Sequence, residues 1–286
     1  MNNKNCNFAV IGGDLRQVYL CEGLISLGYT VCEYALCVDN RNPSVRHASS
    51  LEEAVHSAYA VLAPIPMMRN QLFNHQTNMT DLTLETLTAS LQKGQYLFAG
   101  CIPPSYDAAL TEKGIHTCDY MKEEEMAIYN TIATAEGAIS EAISKSPLNL
   151  HRSPCLILGY GRCGKTLAAY LKGMFCQVTV CARNPIARAE AKILVDEAID
   201  ICRLDQNLNR FPFIFNTVPE VLITRPLLEK LHPDTLIIDI ASAPGGVDYN
   251  AAKELGRSAY LCPGLPGRYA PKSSAESMIQ TVTHKL

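Results

Sequence analysis

Gly159, Gly161 and Gly164 stand at the spacing Gly-x-Gly-x-x-Gly, directly after the apolar run 155–158 and at the mouth of an apolar-periodic segment. In that setting each glycine has a mechanical task. The first makes a tight turn, the second lets backbone approach a pyrophosphate, and the third lets helix and strand pack closely. Arg162 and Cys163 open the helix, whose unpaired N–H groups and positive partial charge suit phosphate oxygens. The next apolar run, 177–181, should close on an acid if a ribose 2′-hydroxyl is to be recognised. It closes instead on Ala182, Arg183 and Asn184. An arginine there suits a 2′-phosphate and can also stack on adenine, which points to NADP(H) rather than NAD(H). The competing reading of Arg183 is an ordinary solvated charge, and Arg188 is a second candidate cation.

Two later strand ends extend this crevice. Asn216, Thr217, Val218 and Pro219 follow the run FIF, and Asp239, Ala241 and Ser242 lie at the end of LII. Ligands of open parallel sheets bind at such carboxyl ends, so these residues are candidate nicotinamide and ribose contacts; the alternative is that they cap the turns that follow. An earlier turn, Gly12-Gly13-Asp14, lacks the third glycine and carries an acid where phosphate would lie, which argues for a substrate-side loop. Gly13, Asp14 and Arg16 are its candidate substrate contacts, with Asn130 and Thr134 further along the chain. Arg16 has a fork suited to a carboxylate, and Arg69 is a second cation; both also fit as surface arginines. Asp14 and Glu136 are candidate bases, Glu136 being equally at home as a solvated helical carboxylate.

These residues need two parallel sheets to hold them. In the first 120 residues, apolar runs at 8–11, 30–34, 60–63, 96–99 and 115–118 alternate with helix-like stretches closed by Gly28, Gly94 and Gly114. A second series has runs at 155–158, 177–181, 213–216, 236–240 and 259–261. Strands alternating with helices imply parallel sheets covered on both faces. Between the series, Ile128, Ile132, Ala135, Ile139 and Ile143 recur at three- and four-residue steps, predicting a helix of about six turns over 121–146. Pro147 ends it and opens a polar linker. The expected domains are 1–121 on the substrate side, 122–150 as linking helix and linker, 151–268 as an NADP-binding Rossmann domain, and 269–286 as a closing helix.

Composition narrows the partners. A net charge of −3, with 48% hydrophobic and 19% charged residues, fits a soluble globular protein with no basic stripe for nucleic acid. No apolar stretch near eighteen residues and no signal core are found, so a cytoplasmic protein without membrane contact is expected. The twelve cysteines contain no CxxC pair and sit mostly within strand-like runs, as reduced buried thiols rather than disulfides or metal ligands.

The motifs IGGDLRQ, YNTIATAEGAISEAI, LGYGRCGKTLA, FNTVPEVLI, IDIASAPGGVDYNAAKELG and PGLPGRYAPKSSAE, in this order, resemble the A-subunit family of dipicolinate synthases over nearly the whole chain. That family is among the D-2-hydroxyacid-dehydrogenase-like folds. The resemblance implies two doubly wound α/β domains joined by a long helix, the N-terminal flavodoxin-like and the C-terminal Rossmann. It also implies oxidation of a dihydrodipicolinate, a small dicarboxylate, to pyridine-2,6-dicarboxylate during sporulation in the mother-cell cytoplasm. A flavoprotein-like B subunit is the implied partner, and a homo-oligomer is expected as well. The alternative is a non-catalytic NADPH-binding subunit that supports the B subunit. Unlike the hydroxyacid dehydrogenases, residues 259–271 contain no histidine, so alcohol oxidation through a histidine–carboxylate pair is disfavoured.

Overall fold

Apolar runs that are buried on both faces become inner strands of parallel sheets. The structure is a computed structural model and describes residues 6–38, 42–206 and 208–286. Residues 1–5, expected to run straight into the first strand, lie outside the described residues. The chain divides into two units, Met1–Ala127 with Ala270–Leu286, and Ile128–Tyr269.

The first unit runs β1 (Cys6–Ile11), α1 (Leu15–Ser26), β2 (Val31–Tyr34), β3 (Val45–His47), α2 (Leu51–Ser57) and β4 (Ala58–Leu62). A short hairpin, β5 (Met68–Arg69) and β6 (Leu72–Phe73), leads to α3 (Leu84–Ser90), β7 (Tyr96–Ala99), α4 (Pro104–Glu112) and β8 (His116–Asp119). Its sheet has the order β3-β2-β1-β4-β7-β8 with parallel pairing throughout. Without β3 this is the 2-1-3-4-5 order of flavodoxin-like sheets. Alternation along the strands sorts two cores. Phe8, Val10, Leu62 and Phe98 cluster with Leu20 and Leu24 of α1 and with Met278 and Val282 of the chain's last helix. Ala9, Ile11, Val61 and Leu97 cluster with Leu51, Val55, Leu87 and Leu110 from α2, α3 and α4. Each fully buried large side chain, such as Leu24 or Phe98, contributes about 1.5–3 kcal/mol.

The long helix α5 spans Glu124–Lys145. It starts three residues later than its periodicity predicts, because Asp119 accepts from the Met121 N–H and caps a separate 3₁₀ turn over Tyr120–Lys122. Its apolar face is also rotated from the expected one. Ala135, Ala138, Ile139 and Ala142 join the core of the second unit, whereas Ile128, Ile132 and Ile143 are exposed. Three alanines give the helix a thin face that seats closely, and that outweighs the bulk of the isoleucines beside it.

The second unit continues with β9 (Pro154–Leu158), α6 (Arg162–Gly173), β10 (Gln177–Ala182), α7 (Pro185–Ala191), β11 (Glu197–Asp200), β12 (Phe213–Asn216), α8 (Arg225–Glu229), β13 (Leu236–Asp239), α9 (Tyr249–Glu254), β14 (Ser258–Leu261) and α10 (Leu265–Tyr269). The last helix, α11 (Pro271–Lys285), returns to the first unit. The second sheet reads β11-β10-β9-β12-β13-β14, again all parallel. Both sheets therefore share one topology, with the strand order reversing between β1 and β4 in one and between β9 and β12 in the other. Edge strands β3 and β11 and the β5–β6 hairpin are additions to the sequence reading. All twelve cysteines are free thiols, seven of them buried.

Candidate functional site

At the mouth of β9, Gly159 has φ +92°, a conformation that a side chain resists, and a Cβ added there would run into the Thr217 hydroxyl. Gly164 lies against the carbonyl oxygen of Gly159, 2.5 Å from where its own Cβ would be. Helix and strand are thus seated on backbone. Around Gly161 an added Cβ would meet nothing within 4 Å. Gly161 is the N-cap of α6, with no side chain bonding into the first turn. The open cradle at Gly161, whose N-cap position offers no capping side chain, and the helix N-terminus that follows it fit a diphosphate. Burial pushes the half-buried Cys163 thiol up, so it stays protonated.

Beyond β10 the two arginines differ. Arg188 Nη1 donates to the carbonyls of Ala182 at 2.8 Å and Arg183 at 2.7 Å, and its Nη2 pairs with Asp200 at 2.8 Å. The Arg183 side chain is exposed. Asn184 caps α7, accepting from the Ile186 N–H at 2.8 Å. Of the residues expected at this strand end, then, Asn184 shapes the loop, Arg188 is committed to it, and Arg183 faces solvent.

Asn216 and Asp239 were expected to touch a ligand, but both side chains are fully buried and bonded within the fold. Asn216 Nδ2 donates to Asp239 Oδ1 at 2.8 Å and to the Val218 carbonyl at 2.9 Å, while its Oδ1 accepts from the Val218 N–H. Asp239 also accepts from the N–H groups of Ala241 and Gly246, at 3.0 and 2.7 Å, and from the Tyr249 hydroxyl at 2.7 Å. Burial and the Asp239 carboxylate hold the Tyr249 phenol protonated, well above its usual range. The pair fixes the turns after β12 and β13. Val218 is half-buried, and Pro219 and Ser242 are exposed on those turns. Thr217 donates its hydroxyl to the Leu158 carbonyl at 2.8 Å, tying β12 to the glycine turn, and Ala241 is buried.

On α5, the Thr131 and Thr166 hydroxyls meet at 2.6 Å, which sets α5 beside the first turns of α6. Asn130 is buried, and its Oδ1 meets no hydrogen-bond partner among the described residues. The Thr134 hydroxyl bonds back to the Asn130 carbonyl at 2.8 Å. Glu136 is exposed and accepts from Tyr170 Oη at 3.3 Å, one turn further along the flank of α6 and away from the strand ends. Its neighbour Glu141 is the buried acid of this helix. Burial raises its carboxyl, but Tyr269, Lys145 and Arg268 together hold it below the usual range.

In the first unit, the loops at the carboxyl ends of β1, β4 and β7 bond to one another. Gly13 N–H donates to Asn74 O at 2.8 Å, Gly100 N–H to Pro64 O at 3.0 Å, and Met67 N–H to Gly100 O at 2.6 Å. Asp119, which the sequence reading missed, accepts from the N–H groups of Cys101 and Ile102 and shapes the third of these loops. Asp14 caps α1 and is gripped by Arg16, whose Nε and Nη2 reach its two oxygens at 2.9 and 2.8 Å. Arg16 is buried, 5% exposed, and also donates to the Ile65 carbonyl. The fork expected to hold a substrate carboxylate therefore already holds one of the protein's own.

Burial alone would raise the Asp14 carboxyl; the Arg16 guanidinium overrides that and holds it below its ordinary 3.8. A depressed folded value means that the pair stabilises fully above the unfolded carboxylate range and is lost as pH falls through the folded pKa. Asp14→Ala is expected to cost about 2–4 kcal/mol, from the lost cap and the unpaired buried guanidinium. The gap in urea midpoint between variant and parent should narrow as acid protonates the Asp14 carboxylate. A gap that stays constant throughout the acid limb would show that the carboxylate charge is not what matters.

The family model for the N-terminal domain of the dipicolinate synthase A subunit matches residues 7–121. The model for the NAD-binding domain of D-isomer specific 2-hydroxyacid dehydrogenases matches residues 126–251. The A subunit of dipicolinate synthase from Bacillus subtilis is 35% identical over 167 residues, 58% of this chain and 56% of that protein, so the match spans little more than half of the relative. The crystal structure of the dipicolinate synthase A subunit from Bacillus halodurans has a TM-score of 0.85 at 25% identity, covering 99% of this chain and 98% of that one. The crystal structure of the Bacillus subtilis A subunit has a TM-score of 0.83 at 24% identity, over 98% of this chain and 95% of that one. Among the described residues no helix is long and apolar enough to cross a membrane.

Proposed function

From the premise that the chain resembles the A subunit of dipicolinate synthase and carries a nicotinamide-binding dehydrogenase domain, we propose that it is an NADP(H)-dependent oxidoreductase. It converts a dihydrodipicolinate to pyridine-2,6-dicarboxylate. It works in the mother-cell cytoplasm during sporulation, as a heteromer with a flavoprotein-like B subunit and as a homo-oligomer.

The observation that carries the reading is the uncapped α6 N-terminus over the open Gly161 cradle, with Arg183 exposed at the end of β10. The N–H groups of Arg162 and Cys163 hold the diphosphate, and Arg183 takes the 2′-phosphate. The nicotinamide supplies the hydride acceptor. Loss of that hydride and of a neighbouring proton makes the pyridine ring aromatic, so the protein's task is chiefly orientation. The turns carrying Thr217, Val218, Pro219, Ala241 and Ser242 line the nicotinamide end. Asn216 and Asp239 act on those turns from beneath. In the first unit, Gly13 and Arg16 shape the substrate loop, with Arg69 as its exposed cation. Asp14, held anionic and low by Arg16, positions that arginine and is a weak base.

Arg183→Asp is expected to weaken NADPH binding about thirtyfold or more and NADH binding no more than about threefold, by calorimetric titration of the full chain. Equal losses would remove the 2′-phosphate role. Reduction of NADP by the protein with its B partner and fresh dihydrodipicolinate tests the reaction itself.

Two observations favour a second reading, a nucleotide-binding subunit without chemistry of its own. Glu136 lies on a helix flank, and residues 259–271 contain no histidine. Tight NADPH binding by the isolated chain, with turnover only when the B subunit's own site is intact, would select it.

A further inference from the structure

The corner where β10 and β11 end carries an acid that a 2′-phosphate would not tolerate unaided. Asp200 closes β11 and is the register partner of Ala182, the last residue of β10. Asp200 lies one strand over from the position, at the end of β10, where dinucleotide folds carry a ribose-binding acid, and from there its charge repels a phosphate held at Arg183. Its charge is met from α7. The Arg188 guanidinium pairs with Asp200 at 2.8 Å through Nη2, while Nη1 bonds the carbonyls of Ala182 and Arg183 at 2.8 and 2.7 Å. Asp200 also accepts from the Cys202 N–H at 3.0 Å, and Arg203 is the other cation near it.

One guanidinium thus covers three oxygens that would otherwise present negative charge where Arg183 leaves the sheet. Those bonds occupy both N–H groups of Nη1 and one of Nη2, aiming the fork at the protein's own oxygens. Arg183, five residues earlier, is exposed and makes no such commitment with its side chain among the described residues.

We propose that Arg188 is a positioning residue that sets the preference for a 2′-phosphorylated dinucleotide, by neutralising Asp200 and fixing the Ala182 and Arg183 carbonyls without touching the phosphate. The inference rests on the reading that this unit binds NADP(H). It assigns cofactor selectivity to an internal ion pair as well as to the contacting arginine. It also explains why an acid is tolerated at this corner.

The test is a double-mutant cycle on the full-length protein, titrating NADPH and NADH by calorimetry into the parent, Arg188→Met, Asp200→Asn and the double variant. Arg188→Met should lower the NADPH-over-NADH affinity ratio about tenfold, because it leaves the Asp200 charge bare. Asp200→Asn alone should raise the ratio about threefold. The double variant should return to within about threefold of the parent. A merely structural role would lower both affinities together and leave the ratio unmoved, which overturns the proposal. A double variant as poor as Arg188→Met also overturns it, since Arg188 would then be a direct phosphate contact. Should Arg188→Met fail to yield folded protein, Asp200→Asn decides, and a ratio that does not rise refutes the idea. A parent with no NADPH preference overturns the cofactor reading and this inference together. A parent whose preference is abolished by Arg183→Asp, with no recovery in the double variant, overturns this inference alone.

Discussion

Gly164→Ala is expected to weaken dinucleotide binding sharply and to destabilise the second unit by about 2–4 kcal/mol. The added methyl would sit 2.5 Å from the Gly159 oxygen and 3.1 Å from its carbonyl carbon. Both are backbone atoms of the turn itself, so neither can swing aside, and α6 must shift away from β9. That shift displaces the N–H groups proposed to hold the diphosphate, and on that reading NADPH affinity should fall about a hundredfold or more. Gly161→Ala separates the two effects. Its Cβ meets no protein atom within 4 Å and its φ of −82° suits any residue. Its urea midpoint should stay near that of the parent while NADPH binding weakens. If Gly164→Ala kept both its midpoint and its affinity, the close seating of helix on strand would have no part in the site.

The contrast shows why this part of the site was legible in the sequence. A Gly-x-Gly-x-x-Gly turn is local, and its strand, turn and helix lie within twenty residues, so spacing and apolar pattern together specify it. Asn216 and Asp239 were identified as polar residues at strand ends, but their direction was not readable. The partner of Asn216 lies 23 residues away, and the sequence does not say that two adjacent strand ends turn their polar side chains toward each other. The two arginines after β10 are alike in sequence; only the carbonyls and Asp200 beside Arg188 distinguish them. Asp14 before an apolar helical run is a legible N-cap, and the Arg16 grip on it is what a search for free cations misses. Edge strands β3 and β11 escaped because they are short and carry Arg46, His47, Glu197 and Asp200, the charges that edges favour and that erase an apolar signature. The rotated face of α5 escaped for a different reason. Periodicity weighs isoleucine above alanine, whereas close helix-to-sheet packing favours the smaller residue.

Asp239→Ala is expected to cost about 3–5 kcal/mol. Four donors converge on this carboxylate: the Asn216 amide, the Ala241 and Gly246 N–H groups and the Tyr249 hydroxyl. Water has no access, because Asp239 and Asn216 are both fully buried. Removing the acceptor strands those donors, and each stranded donor costs far more than the bond's net worth. Gly246 packs so closely on Asn216 and on the Val218 carbonyl that the turn cannot relax inward to repair the loss. Tyr249→Phe, which removes one donor along with its bond, should cost only about 1 kcal/mol. Asp239→Asn lies between, since its amide turns at least one N–H toward another donor. The ranking Ala, then Asn, then Tyr249→Phe should appear in urea midpoints measured without cofactor. NADPH affinity should fall in the same order, because the carboxylate acts on the ligand through the turns it holds. An Asp239→Ala protein as stable as its parent but unable to bind NADPH would reverse this assignment and make the carboxylate a direct contact.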